Sequence, residues 1–248
     1  MELAGSMDRM KAVLTMAAAL LFAASPLFAG SFGGFDPEQF PVAQSDPPIV
    51  PAGYAFAIWG LIYGYLLICA GYGLLKRDTN ALWDSVRWPL IASLTVGASW
   101  IPVANISPLW ATVLIWVMLL TAIGALFRAK HAKEHWLLQA PLAIYAGWLT
   151  AASFVSIGLV GAGYDVLTDQ VGWAWVALIM ALIATSLMQL RLGWAPEYGL
   201  TVCWALIAIF VRNLDNSASL AMLALAGTAS IGFVTLYSWR KHRVSETG

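Results

Sequence analysis

Uncharged runs long enough to cross a bilayer recur along this chain, at residues 12–35, 47–75, 136–164, 170–190 and 216–239, and they narrow the fold more than any other feature. Crossing about 30 Å of hydrocarbon at about 1.5 Å per residue takes about 20 residues of helix. The run from Trp88 to Phe127 is twice that length. Its middle, IPVANISP at 101–108, holds two prolines and an asparagine and reads as a turn, so the run predicts a helical hairpin. Residues 196–214 supply one more span, with its strictly uncharged part confined to 198–211 between Glu197 and Arg212. The sum is an all-α integral membrane protein, a polytopic bundle of about eight transmembrane helices. Composition agrees: 60% hydrophobic and 10% charged residues are far from a water-soluble domain.

The basic residues test the count independently, because cytoplasmic loops hold the excess of Lys and Arg. Starting from an inside N-terminus, twelve of the 13 fall inside and only Arg212 falls outside, together with Asp36, Glu38, Asp46, Asp165, Asp169 and Asp215. A miscounted helix would scramble that alternation. Both termini are therefore expected on the cytoplasmic side, most simply of a bacterial inner membrane. The first segment, MDRMKAVLTMAAALLFAASPLFAG, also has the form of a signal peptide, whose removal would leave seven spans in the same orientation.

Tryptophans give a second check, since indoles favour interfaces. Trp83, Trp88, Trp136, Trp194 and Trp239 fall at expected inner ends and Trp110, Trp173 and Trp175 at outer ends. Trp59, Trp100, Trp116, Trp148 and Trp204 lie within spans, where packing and ligand contact compete as explanations.

No span carries an ionisable residue near its middle, which argues against an ion-coupled carrier or proton pump. A net charge of zero gives no reason to expect a nucleic-acid partner; the lipid bilayer is the evident one. Cys69 and Cys203 fall in apolar runs and read as small core residues. His131 and His135 have helical spacing but no ligand set around them, and read as a solvated loop. Neither a Ser-His-Asp set nor a phosphate-binding glycine loop is present, so catalysis has little support. Gly60 and Gly64 form a small-xxx-small pair that suits internal packing or a homo-oligomer face equally. Gly158, Gly161 and Gly163 read as loosening the outer end of the fifth helix. Arg212, Asn213, Asp215 and Asn216 make a dense polar cluster that ends a helix or gates a ligand. The loop at 31–53 has five prolines and three glycines, too many for regular helix, while Phe32, Phe35 and Phe40 give it apolar surface. A loop of that length and chemistry is expected to act as a lid.

The loop leads into PAGYAFAIWGLIY at 51–63, where Phe56, Trp59 and Tyr63 are spaced to form a wall along one helical face. Pro51, Phe56, Trp59 and Tyr63, then Trp100 with Pro102, then Tyr145 three residues before Trp148, with Ala152 one turn later, resemble the tryptophan-rich sensory protein family. That family is also called the translocator protein or TspO/MBR family. The resemblance covers about residues 10–160 and implies a five-helix membrane core, residues 1–162 with the outer loop, and a retained first helix. Residues 163–248 would then be three extra helices with a short basic tail. It further implies a pocket beneath the loop for flat or bulky apolar ligands such as porphyrins or sterols, with Pro51, Phe56, Trp59, Tyr63, Trp100, Tyr145, Trp148 and Ala152 as ligand-binding residues. No covalent cofactor is implied. Three positions depart from the family pattern: Gly97 and Ser156 stand where it tends to carry asparagines, and Ile144 replaces a proline. Two other readings stand beside ligand sensing, an uncoupled exporter of apolar metabolites and a non-catalytic assembly partner.

Overall fold

The computed structural model describes residues 2–30 and 32–247. All regular elements among them are helical: α1 (Glu2–Ala29), α2 (Ile58–Lys76), α3 (Ala81–Ala104), α4 (Pro108–Arg128), α5 (Ala140–Gly163), α6 (Gln170–Arg191), α7 (Pro196–Asn213) and α8 (Ala218–Thr247). Several starts carry their own signals. The Asn80 side chain accepts from the amides of Leu82 and Trp83 to open α3, Ser107 caps α4 ahead of Pro108, and Asp169 caps α6 through the Gly172 amide. Six helical segments are long and apolar enough to cross a membrane; α3 and α7 are the two that are not, each carrying charge in its first turns.

The boundaries correct the sequence reading in two places. Helix α3 begins at Ala81, seven residues before the uncharged run starts at Trp88. It can do so because its charges are satisfied in place: Lys11 of α1 reaches Asp84 at 2.7 Å, and buried Arg87 donates to Asp84 and to the carbonyls of Asp8, Arg77 and Asp78. The span expected from 47 instead starts with a 3-10 turn at Gly53–Ala57, and α2 proper begins at Ile58. Phe56 therefore sits on the tighter turn and not on the helical face of Trp59 and Tyr63.

Helix α5 is apolar on all sides and is the centre of the bundle, packed against α2, α4, α6 and α7. Helix α1 lies between α2 and α3, and α8 covers α6 and α7. The principal core cluster joins residues of α1–α5 to Leu192, Trp194, Tyr198, Ala205 and Ala208, so the last helices share it. A second cluster forms between α5, α6, α7 and α8, with Phe40 and Ile49 of the loop inserted into it. Gly147 allows α7 to come close, since a Cβ there would lie 2.5 Å from the Tyr198 carbonyl oxygen, and the Thr150 and Tyr198 hydroxyls bond at 2.9 Å beside it.

The glycines near the end of α5 do the opposite of loosening it. Helix runs unbroken to Gly163, and the missing side chains are seats: the Trp173 indole fills the space at Gly161 and the Phe40 ring that at Gly163. Gly60 and Gly64 are exposed with open space beyond their α-carbons, which removes internal packing as their explanation. Trp83 and Trp194, expected at an interface, are buried, while Trp88, Trp110 and Trp136 are exposed. Cys69 and Cys203 are buried free thiols.

Candidate ligand-binding cavity

The C-terminal ends of α1, α3, α5 and α7 gather under the loop. Gln39 donates to the Ala104 carbonyl at 3.1 Å, the Val42 amide to Gly163 at 2.9 Å and the Ala52 amide to Ala208 at 3.1 Å. Asn213 donates to the Pro48 carbonyl at 2.8 Å, and Arg212 pairs with Asp46. The polar cluster at the end of α7 is thus a clasp on the loop. Sequence reasoning left its role open, although the opposite charges of Asp46 and Arg212 on the same expected face were the available signal.

Beneath the loop lies a cavity of about 350 Å³ between α1, α2, α3 and α4. Each wall is fixed by a separate element. On α2 the rings of Trp59 and Tyr63 stack at 5.5 Å and 19°. Phe22 of α1 meets both edge-on, at 5.9 and 5.0 Å. Trp100 of α3 is held by its indole N–H, which donates to the Ala111 carbonyl at 2.8 Å, and Phe32 of the loop packs across it at 4.7 Å. Pro26, inside α1, also faces the space. An adjoining pocket of about 60 Å³ shares Phe32, Phe56, Trp59 and Trp100 and runs towards α5 and α7. Pro51, Trp148, Ala152 and Ser156 line it, with Ala205 from α7. Trp148 meets Trp59 edge-on at 6.1 Å and Phe56 at 6.0 Å.

Of the eight residues singled out from the sequence, Pro51, Phe56, Trp59, Tyr63, Trp100, Trp148 and Ala152 line these two spaces. Tyr145 does not. It is fully buried behind the wall, its ring 5.7 Å from Phe22. The Ser93 hydroxyl donates to the Met118 carbonyl at 2.8 Å, so the Tyr145 hydroxyl, 2.9 Å away, donates to Ser93. Tyr145 is therefore a support for Phe22. Phe22 itself was missed, and the reason is its partner: a Cβ on Gly97 would lie 2.6 Å from the Phe22 ring. The ring occupies the space that a longer residue at 97 would need.

The lining carries no charged side chain. One polar atom stands out, the buried indole N–H of Trp148, which has no hydrogen-bond partner. A site of this kind can hold a flat apolar molecule by ring contact. Its lining holds no Asp, Glu, His, Cys, Lys or Arg side chain, and no group of three or more His, Cys, Asp or Glu that could bind a metal occurs among the described residues.

The opposite end of the bundle is polar. Arg77 meets Glu134 at 2.7 Å, and the Trp83 indole donates to the same carboxylate at 3.3 Å. Burial alone would raise the Glu134 pKa, but the bonds from Arg77 and Trp83 outweigh it and hold the carboxyl below its ordinary value. His135, read from sequence as solvated, lies in a π-helical turn at His135–Gln139 and bonds the Glu197 carboxylate at 2.7 Å through Nε2.

A family model described as TSPO-like protein matches residues 12–237. The match runs from α1 into α8, further than the stretch of about 10–160 that carried the resemblance in the sequence. No curated protein and no solved structure matches the chain.

Proposed function

The chain belongs to the TSPO-like family, and from that premise we propose that it is an integral membrane binding or sensory protein for a flat apolar ligand of the tetrapyrrole or sterol-like class. The observation that carries the reading is the uncharged aromatic cavity under the clasped loop, where four ring-bearing elements face open space. Rings that only packed the bundle would close on one another. A volume of about 350 Å³ lies at the low end of the roughly 300–1,000 Å³ typical of ligand sites. A macrocycle would therefore enter with displacement of Phe32 and Phe35, the loop rings that lie on Trp100. The loop's bonds to α7 make the last helices part of the same device, holding the lid that the first five helices need. The distribution of basic residues supports an orientation with both termini on the cytoplasmic side, most simply of a bacterial inner membrane, and the loop facing outward.

The test is titration of the purified protein with protoporphyrin while tryptophan fluorescence is followed. Saturable quenching is expected, weakened in Trp59→Leu and Trp148→Leu. Absence of quenching, or quenching that both variants leave unchanged, contradicts the reading.

A further inference from the structure

The aromatic cavity has two unlike ends. Helices α1 and α3 run towards the loop and α2 and α4 away from it, so position along each helix gives depth. Nearest the loop lie Pro26, Phe32, Trp100 and Ile115. One turn deeper, Phe22, Gly97 and Met118 close the space.

The polar groups around that deep end are spent on one another. The wholly buried Ser93 hydroxyl donates to the Met118 carbonyl at 2.8 Å and accepts from Tyr145. Ser25 donates to the Phe22 carbonyl at 2.8 Å, in place of the amide hydrogen that Pro26 lacks. The Tyr63 hydroxyl lies beside Ser25. It is therefore on the loop side of the Phe22 ring, because a helical side chain leans towards its helix N-terminus and Phe22 leans away from the loop. Gly97 has no side chain to offer, and there is no room for one while Phe22 keeps its place: a Cβ there would lie 2.6 Å from the ring and 3.0 Å from Met118 Cε. The ring is braced in that seat by Trp59 and Tyr63 at its edges and by Tyr145 behind it. Phe22 thus occupies the space from which the asparagine of the family pattern would reach a ligand.

The two ends therefore treat a polar group differently. At the deep end it would leave water and gain no partner, which is costly in an apolar surround. At the loop end Gly34 is exposed and lines the adjoining pocket, so a polar group there keeps its contact with water.

We propose that the cavity selects one-ended amphiphiles, flat ligands with a bare hydrocarbon edge against Phe22, Gly97 and Met118 and every polar group at the loop, and that the Phe22–Gly97 pair sets this selectivity. The proposal rests on the ligand reading above and narrows its class. Saturable energy transfer from tryptophan in the full chain tests it with two neutral probes, 1-pyrenemethanol and 1,6-bis(hydroxymethyl)pyrene, which carry hydroxyls at one end or at opposite ends. The two-ended probe is expected to bind about tenfold or more weakly, the scale of burying one hydroxyl without a partner. Two variants supply an amide at the deep end by separate routes, Phe22→Ala combined with Gly97→Asn, and Met118→Gln, which nearly conserves side-chain volume. Each should remove most of the difference between the probes, whereas Met118→Leu should preserve it. The readout is a ratio of two probes on one protein, so a general loss of affinity does not imitate the result, and the wild-type ratio is a test even if a variant fails to fold. Equal affinities in the wild type, or an undiminished ratio in every amide variant that folds, overturns the proposal and leaves the ligand reading standing. Failure of both probes to bind the wild type removes that reading and the proposal with it.

Discussion

Phe40 and Trp173 sit on glycines of α5 with no room left for a Cβ, whereas Trp59, Tyr63, Trp100 and Trp148 stand around open space a few residues away under the same loop. Both groups are aromatic and both are near the loop end of the bundle. The difference lies in what faces each ring. Where the opposing residue is fitted to the ring, the aromatic is core; where the opposing wall is held off by its own neighbours, the aromatic is available to a ligand. Trp100 shows how the holding-off is done, since its bond to Ala111 ties the indole to α4. Phe22 belongs to both groups: one side fills the gap at Gly97 and the other faces the cavity.

Substitutions that fill space should therefore act oppositely in the two regions. The largest effect is expected for Gly163→Leu, because even a Cβ there would overlap the Phe40 ring. Overpacking of this kind costs about 1–3 kcal/mol or more, and thermal unfolding in detergent should show a drop of several degrees. Ala152→Leu points into the cavity instead. Its stability should stay within about 0.5 kcal/mol of wild type, while affinity for protoporphyrin falls about tenfold, about 1.4 kcal/mol. Equal melting temperatures for the two variants would erase the distinction between seat and cavity.

The clasp separates a buried contact from an exposed one. Asn213→Ala leaves the Pro48 carbonyl without its donor and should cost about 1–3 kcal/mol. Arg212→Ala removes a pair whose Asp46 side chain is 86% exposed, so its cost should not exceed about 1 kcal/mol. Limited proteolysis within the loop and ligand dissociation rates should rank the two in that order.

The smallest effect is expected at the polar end. The Glu134 carboxyl is held below its ordinary value of 4.5, so its pairing with Arg77 is fully present above that pH and is lost as pH falls through the lower folded-state value. Glu134→Gln should lower the melting temperature slightly at neutral pH, with the difference shrinking towards pH 3. A difference that grows with acid would reverse the sign of the argument.

Much of this architecture is legible in the sequence because a bilayer imposes a length on apolar runs and an interface preference on charge. The hairpin at 101–108 and the spans of α4, α6 and α8 follow from that. The start of α3 does not, because Asp84 and Arg87 read as loop charges until Lys11 and the carbonyls that satisfy them are brought in from distant segments. The seats at Gly161 and Gly163 are unreadable for the same reason, since a glycine alone does not say which ring will fill it. The clasp joins Asp46 to Arg212 across most of the chain, and the link of His135 to Glu197 joins the π turn before α5 to α7. Local pattern carries spans; long-range pairing carries the clasp on the loop and the polar end.

The central claim is that the rings around Trp59 enclose a ligand and not merely one another. A structure of the protein with an iodinated, planar apolar probe tests this most directly through the probe's anomalous signal. The iodine is expected in the space bounded by Trp59, Trp100 and Trp148, with Phe32 displaced. Iodine found only on the lipid-facing surface, with the cavity collapsed or unchanged, would contradict it.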